Sequence, residues 1–395
     1  MHVVIIGNGA AAINSARAVL NVQPSAEITV FSEERYLYYP RPKLWDFLPG
    51  KLSLDELYFY PAAWYEERGI DVRLDQKVVA INPTDHAVTL QDGRTVRYDR
   101  LLLANGGFPF VPPIQNAQNA GVFTLRSIDD ALAIRAYAEK ARSALVIGGG
   151  LLGLESARGL RDLGLAVTVV ELAPWLLPRQ LDQAGADVLT HRFESMGIRT
   201  ITEAVCDRID GEDRAAGAHL KDGQYVPGDL VLISAGIRCN TTVASEAGLQ
   251  VDRGVIVDEH MRTSAPDVYA AGDVCEFRGR CYGIIPAAIE QARVAGANLG
   301  GQHDAVYSGT IPSNTLKVAG IDLTSVGLIS APDSSYQEFR AADPDHGRYK
   351  KLVVKDNKLV GAILLGFPKE MPRIAGLIRQ EAPLEVPVEE LLHIG

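Results

Sequence analysis

Residues 3–6, Val-Val-Ile-Ile, are apolar without a polar interruption, which predicts a strand buried on both faces. An alanine-rich stretch from about Ala10 to Leu20 follows with helical spacing, and Ile28 to Phe31 is a second apolar run ending at Ser32-Glu33-Glu34. This is a βαβ unit of the expected length. Gly69-Ile-Asp-Val-Arg and Lys77-Val-Val-Ala-Ile81 are strand-like. Val88-Thr-Leu with the Gln91-Asp-Gly-Arg turn predicts a hairpin. Leu101 to Gly107 closes the segment. The Tyr36-Leu-Tyr-Tyr-Pro-Arg-Pro-Lys43 stretch, rich in proline and tyrosine, predicts a loop lying over something.

Pro109, Pro112 and Pro113 mark a linker, and Ser127-x-x-Asp130 reads as a capping box ahead of a helix over 128–141. The pattern then restarts at Leu145. Thr168-Val-Val-Glu171, Gly197-Ile-Arg, an Asp222-Gly turn and Leu230 to Gly236 repeat the earlier order, so the chain holds two copies of one plan, each about 140 residues long. The repeat breaks after 237. Thr263 to Asp273 ends one strand, a helix is predicted over 286–299, and strands including Lys350 to Leu365 predict a separate α+β domain from 311.

Each copy carries a glycine turn between its first strand and its helix. Gly7, Gly9 and Ala12 form the first; Gly148, Gly150 and Gly153 form the second. A pyrophosphate needs donors, and a helix N-terminus supplies free N–H groups with partial positive charge. Glycine lets the backbone turn sharply and approach the phosphate. Glu171 lies about 18 residues after Gly153, at the spacing of a carboxylate that accepts both ribose hydroxyls. It would repel a 2′-phosphate, and Leu172-Ala173-Pro174 offers no arginine, so NAD(H) is expected over NADP(H). In the first copy Ser32, Glu33 and Glu34 compete for the ribose role, and Glu33 is chosen. Two such turns imply two dinucleotides, the arrangement that moves a hydride between a nicotinamide and a flavin. Glu155, placed in the first turn of the second helix, has two readings: a carboxylate stabilising a helix N-terminus, or a group that positions the nicotinamide.

The composition narrows the partners. The chain of 395 residues has 47% hydrophobic and 22% charged residues and a formal net charge of -10. That charge argues against nucleic acid and against an anionic membrane surface. No run approaches the ~18 apolar residues of a membrane span, and a strand at the very N-terminus predicts no signal peptide. The expected location is cytoplasmic. The four cysteines, Cys206, Cys239, Cys275 and Cys281, form no C-x-x-C pair, so no metal or iron–sulfur site is expected. They read as small buried hydrophobes. His2, His86, His191 and His260 are scattered without ligand spacing.

The whole arrangement resembles the flavoproteins with two dinucleotide-binding domains, in the NADH-dependent rubredoxin, ferredoxin and nitrite reductase branch of the pyridine nucleotide-disulfide oxidoreductase superfamily. The resemblance runs from residue 1 to about 366. It rests on Gly7-x-Gly9-x-x-Ala12, Tyr39-Pro-Arg-Pro42, Leu103-Ala-Asn-Gly106, Gly148-Gly-Gly-x-x-Gly-x-Glu155, Leu177-Pro-Arg-Gln-Leu-Asp182, Ser234-Ala-Gly-Ile237, Tyr269-Ala-Ala-Gly-Asp273 and Leu316-Lys-Val-Ala-Gly-Ile321. It implies an α/β fold class with two Rossmann-like three-layer dinucleotide-binding folds, the second inserted in the first, plus a C-terminal α+β interface domain. The implied division is 1–110 with 239–310 for FAD, 111–238 for NAD(H), and 311–395 for the interface. The FAD contacts implied are Gly7, Gly9, Ala10, Ala12, Glu33, Arg41 at the pyrophosphate, Val79 at the adenine, Ala104, Asn105, Gly106, Gly272, Asp273 at the ribityl chain, and Pro286. For NAD(H) they are Gly148, Gly150, Leu152, Gly153, Glu155, Glu171 and Gly236.

Three positions depart from the family. Asn105 replaces a threonine and Cys239 a proline. Counting back from Leu48-Pro-Gly50, Pro42 stands where oxidases and peroxidases of the wider family carry a redox cysteine. The resemblance therefore implies electron transfer between NAD(H) and a one-electron carrier protein with no thiol relay. The carrier would be an iron–sulfur or rubredoxin-like protein, free or within a larger complex such as tungsten aldehyde oxidoreductase or phenylglyoxylate dehydrogenase, and a homodimer would fit the C-terminal domain. The alternatives are a non-catalytic FAD-binding assembly subunit and an NADH oxidase reducing O2.

Overall fold

The structure is a computed structural model that describes residues 1–318 and 320–393; Ala319, within the Leu316–Ile321 run, lies outside the described residues. The chain divides into two units. The first comprises Met1–Lys43, Leu52–Phe108 and Ile237–Thr310, and the second Leu44–Lys51, Pro109–Gly236 and Ile311–Gly395.

In the first unit, Val268–Ala270, Arg100–Leu103, His2–Ile6, Glu27–Phe31 and Ile70–Arg73 form one parallel sheet in that order. The near-continuous apolar runs follow from this: a parallel sheet is covered on both faces, so polar alternation has no place. Helix Ala10–Val22 lies against helix Ile285–Gly300. The crossing is close because it is built from small residues. A Cβ on Gly296 would stand 2.5 Å from the Ser15 carbonyl oxygen and 2.6 Å from the Ala18 Cβ. The buried Ser15 hydroxyl closes the gap by donating to the Ala292 carbonyl at 3.0 Å. Strands Val78–Asn82, Ala87–Leu90 and Thr95–Arg97 form a separate antiparallel sheet, as the hairpin signal predicts.

The second unit repeats this plan. Arg199–Ile201, Ala166–Val170, Ser143–Ile147, Leu230–Ile233 and Val122–Phe123 form a parallel sheet, and Cys206–Asp210, Gly217–Leu220 and Tyr225–Pro227 an antiparallel one. The expected capping box is present: the Ser127 hydroxyl accepts from the Asp130 N–H, and helix Ile128–Ala138 follows. From Ser313 the chain builds a five-stranded antiparallel sheet, backed by helix Met371–Gln380. The expected fold class is the one observed.

The Lys350 to Leu365 stretch is a hairpin of Arg348–Lys355 and Lys358–Leu365, turning at Asp356 and Asn357, both with positive φ. Lys350 and Lys351 are both fully buried, on opposite faces of one strand. The Lys350 Nζ donates to Glu370 at 2.8 Å and to the Leu391 carbonyl at 2.9 Å. The Lys351 Nζ meets Glu338 at 3.0 Å and Asp182 at 3.1 Å.

Candidate dinucleotide-binding sites

The two copies share more than an order of elements. The Gly7 N–H donates to the Phe31 carbonyl and the Gly148 N–H to the Val170 carbonyl, both at 2.8 Å. The Ala104 N–H donates to Ile6 and the Ser234 N–H to Ile147, again at 2.8 Å. A Cβ on Gly7 would stand 2.3 Å from the Ala104 oxygen, and one on Gly148 2.2 Å from the Ser234 oxygen. Both have strongly positive φ, +100° and +118°. Glycine is thus required at each position by backbone conformation and by the neighbouring strand. Gly153 is fixed differently: its Cβ would meet the Gly148 oxygen at 2.0 Å, so this glycine sets how closely helix Leu151–Asp162 packs on the strand. At Gly9 and Gly150 a Cβ would meet nothing within 4 Å, and each is the residue from which its helix starts.

Neither helix has a side-chain cap or an acidic residue in its first turn. Helices Ile128–Ala138 and Gln183–Ser195 are both capped, by Ser127 and by Asp182. Uncapped N–H groups at the carboxyl ends of parallel strands are what an anionic pyrophosphate requires.

In the first unit Gly272, Asp273, Arg41 and Asn105 lie near the first turn or one another. Gly272 has φ +87°, and a Cβ there would stand 2.9 Å from the Ala11 Cβ. The Gly272 N–H donates to the Gln291 Oε1 at 2.9 Å. Asp273 is thereby held beside the start of helix Ala10–Val22. Arg41 pairs with Glu34 and Tyr39 and faces Asp273. Burial works against the guanidinium charge, but Tyr39, Glu34 and Asp273 outweigh it. Asn105 donates from Nδ2 to the Asn240 carbonyl at 2.8 Å. The Oδ1 atoms of Asn105 and Asn8 are buried with no hydrogen-bond partner among the described residues. Two acceptors without a partner at the rim of a glycine turn fit a site built for the hydroxyl groups of a dinucleotide, which can donate to them. Pro286 is exposed at the start of helix Ile285–Gly300.

The ribose position shows where sequence spacing and register part. The Ser32 N–H donates to the Arg73 carbonyl and the Glu171 N–H to that of Ile201. Ser32, not Glu33, therefore occupies the place Glu171 holds in the other copy. Glu34 is engaged by Tyr39 and Arg41. Glu33 is exposed and meets Lys77 at 3.3 Å, next to the strand that carries the exposed Val79.

In the second unit Glu171 closes its own turn. Its carboxylate accepts from the Gly149 N–H and, at 2.7 Å, from the Ala173 N–H. Leu152 is half-buried on the first turn of the helix, and Gly236 has φ +99° with open space around it. Glu155 is corrected: the helix begins at Leu151, so this is its fifth residue and not part of the first turn. It is 1% exposed and accepts from the Arg158 Nε at 3.0 Å and Nη2 at 2.8 Å. Arg158 also reaches Asp46 at 3.2 Å and Asp162 at 3.7 Å. A buried carboxylate needs such a partner. Sequence reading missed Arg158, although its i,i+3 spacing from Glu155 was there to be read.

The cysteines divide. Cys275 is buried, as expected, but Cys206, Cys239 and Cys281 are only partly so. No helix among the described residues is long and apolar enough to cross a membrane.

Residues 1–298 match the pattern of the pyridine nucleotide-disulphide oxidoreductases, and residues 312–382 that of the rubredoxin NAD+ reductase C-terminal domain. A nitrite reductase [NAD(P)H] of Bacillus subtilis is 36% identical over 97% of this chain, which spans only 48% of that protein's length. The NADH-rubredoxin oxidoreductase of Clostridium acetobutylicum is 32% identical, covering 92% of this chain and 90% of that protein. Among solved structures, the covalent putidaredoxin reductase-putidaredoxin complex has a chain that matches with a TM-score of 0.87 and 27% identity, over 99% of this chain and 95% of its own. With its paired glycine turns and its C-terminal sheet both accounted for, the chain belongs to the pyridine nucleotide-disulphide oxidoreductase family.

Proposed function

We propose that this protein passes electrons between NAD(H) and a one-electron carrier protein, through FAD alone. The observation that carries this reading is the pair of glycine turns with one hydrogen-bond pattern, each opening a helix whose first N–H groups have no side-chain cap.

In this reading 1–110 with 239–310 holds FAD. Gly7, Gly9, Ala10 and Ala12 receive the pyrophosphate beside Arg41. Asp273 takes the ribityl chain, with Ala104, Asn105, Gly106, Gly272 and Pro286 lining the site. Glu33 takes the ribose and Val79 the adenine. Glu33 is preferred to Glu34 because Arg41 and Tyr39 already engage the Glu34 carboxylate. The segment 111–238 holds NAD(H) on Gly148, Gly150, Leu152, Gly153 and Gly236, with Glu171 on the ribose and Glu155 orienting the nicotinamide end. FAD, when bound, supplies the conversion between the hydride of NADH and single electrons. The chain's own part is to bind, orient and keep charges balanced around both sites.

The carrier is an iron–sulfur or rubredoxin-like protein, and relatives named for rubredoxin and putidaredoxin support that choice. Residues 311–395 form a homodimer or docking surface, within a larger complex or outside one, in the cytoplasm. Protein loaded with FAD should bleach on adding NADH without oxygen and without thiol. An unchanged spectrum overturns the reading.

A further inference from the structure

Residues 175–182 fold back on themselves beside the second glycine turn. The Leu177 carbonyl accepts from the Gln180 and Leu181 N–H groups, both at 2.9 Å, and the Trp175 Nε1 donates to the Leu181 carbonyl at 3.2 Å. Leu176, Leu177 and Leu181 are fully buried. Leu177 has φ +53°, in the left-handed region that a Cβ disfavours. A leucine stays there only where its surroundings hold it. In this conformation its N–H donates to the Gly149 carbonyl at 3.1 Å.

Gly149 is thereby held on both sides. The Glu171 carboxylate takes its N–H and Leu177 its carbonyl. A Cβ on Gly149 would stand 2.7 Å from the Leu176 Cδ2 and 3.0 Å from the Glu171 Cβ. In a trans peptide the C=O and the following N–H point in opposite directions. With the Gly149 carbonyl turned to Leu177, the Gly150 N–H faces away from residues 175–182. It has no hydrogen-bond partner among the described residues, and helix Leu151–Asp162 starts from Gly150. The far end of the segment is also tied. The Asp182 carboxylate accepts from the Gly185 N–H at 3.2 Å, the Tyr349 hydroxyl at 2.8 Å, the Lys351 Nζ at 3.1 Å and the Arg340 Nε at 3.2 Å. Strands Gln337–Asp343 and Arg348–Lys355 of the C-terminal sheet supply the last three.

We propose that Leu177 is a positioning residue for the pyrophosphate of NAD(H). Its left-handed backbone fixes the Gly149 carbonyl and so aims the Gly150 N–H at the phosphates. Asp182, gripped by the C-terminal sheet, keeps the segment in place. The C-terminal domain thus acts on nucleotide affinity through residues 175–182. The inference rests on the reading that the second turn takes NAD(H).

The test is calorimetric titration of the FAD-loaded full chain with NAD+, well below the thermal midpoint, with FAD content measured beside it. Leu177→Ala keeps the left-handed strain but loses the side chain that anchors it. Its Kd for NAD+ should rise about fivefold or more, the worth of one hydrogen bond. Leu177→Gly removes still more of the side chain but adopts the left-handed conformation freely. It should therefore bind NAD+ more tightly than Leu177→Ala, with FAD content equal in both. A packing role alone gives the reverse order. Glycine binding no more tightly than alanine, or alanine binding like wild type, overturns the proposal. Should neither variant fold, Asp182→Asn decides: a rise in Kd of about threefold or more is expected, and a smaller one overturns the proposal. A wild-type chain that binds no NAD+ overturns the electron-transfer reading itself, and this inference with it.

Discussion

At Glu171 one carboxylate ties the second glycine turn to the strand end, bridging the Gly149 and Ala173 N–H groups. The same oxygens suit the paired hydroxyls of a ribose and repel a 2′-phosphate. Glu171→Ala should therefore raise the KM for NADH more than that for NADPH. Hydrogen bonds to a charged group contribute about 1.5–3 kcal/mol, so the rise for NADH should be roughly tenfold or more. Equal loss for both nucleotides contradicts the ribose assignment. Glu155 sets the opposite problem, a carboxylate 1% exposed whose charge Arg158 balances. Breaking one side of a buried pair costs about 3–5 kcal/mol, while replacing both sides with uncharged groups is often near neutral. Arg158→Met should lower the thermal midpoint markedly, and adding Glu155→Gln should recover much of it. Because the proposed function also gives Glu155 the nicotinamide end, the double variant should regain stability without regaining turnover. Recovery of both leaves Glu155 a structural residue only.

The elements were largely legible in the sequence because the parallel strands are buried on both faces and announce themselves as apolar runs. The Ser127 box and the glycine turns were legible for the same kind of reason: each needs a particular residue at a particular backbone position. What register decides was not legible. Ser32 takes the place of Glu171 because strand Glu27–Phe31 ends one residue before it, which spacing along the chain does not reveal. Lys350 and Lys351 are adjacent cations at the start of the stretch read as strands, and the sequence does not show that both are buried. Their partners make the C-terminal sheet sensitive to acid. Burial alone would raise the Asp182 carboxyl, but the Tyr349 hydroxyl, the Gly185 N–H and Lys351 hold it below the usual carboxylate range. Its folded value lies below its unfolded value of about 3.9. The stability it adds is therefore full above that pH and lost as pH falls through the folded value. Asp182→Asn should cost about 1–3 kcal/mol near neutrality. The gap from wild type, followed by denaturant melts across pH, should close below about pH 4. A gap that stays constant down to pH 2 excludes the ion-pair account.

At the scale of the whole molecule, duplication explains the economy of the chain. One plan is used twice, with the second copy placed inside the first, and the copies differ in a few residues: Glu171 in one; Arg41, Asp273 and the amide oxygens of Asn8 and Asn105 in the other. The chain carries a formal net charge of -10, which disfavours polyanionic partners. The claim that joins these parts is that electrons leave the protein from FAD with no thiol between. It is tested most directly by anaerobic turnover of FAD-loaded Cys239→Ser/Cys281→Ser protein with NADH and ferricyanide, following flavin colour and ferricyanide together. The account predicts bleaching by NADH and ferricyanide reduction within about twofold of wild type. Bleaching that persists while ferricyanide reduction stops, or a flavin that NADH leaves unchanged in both proteins, would contradict it.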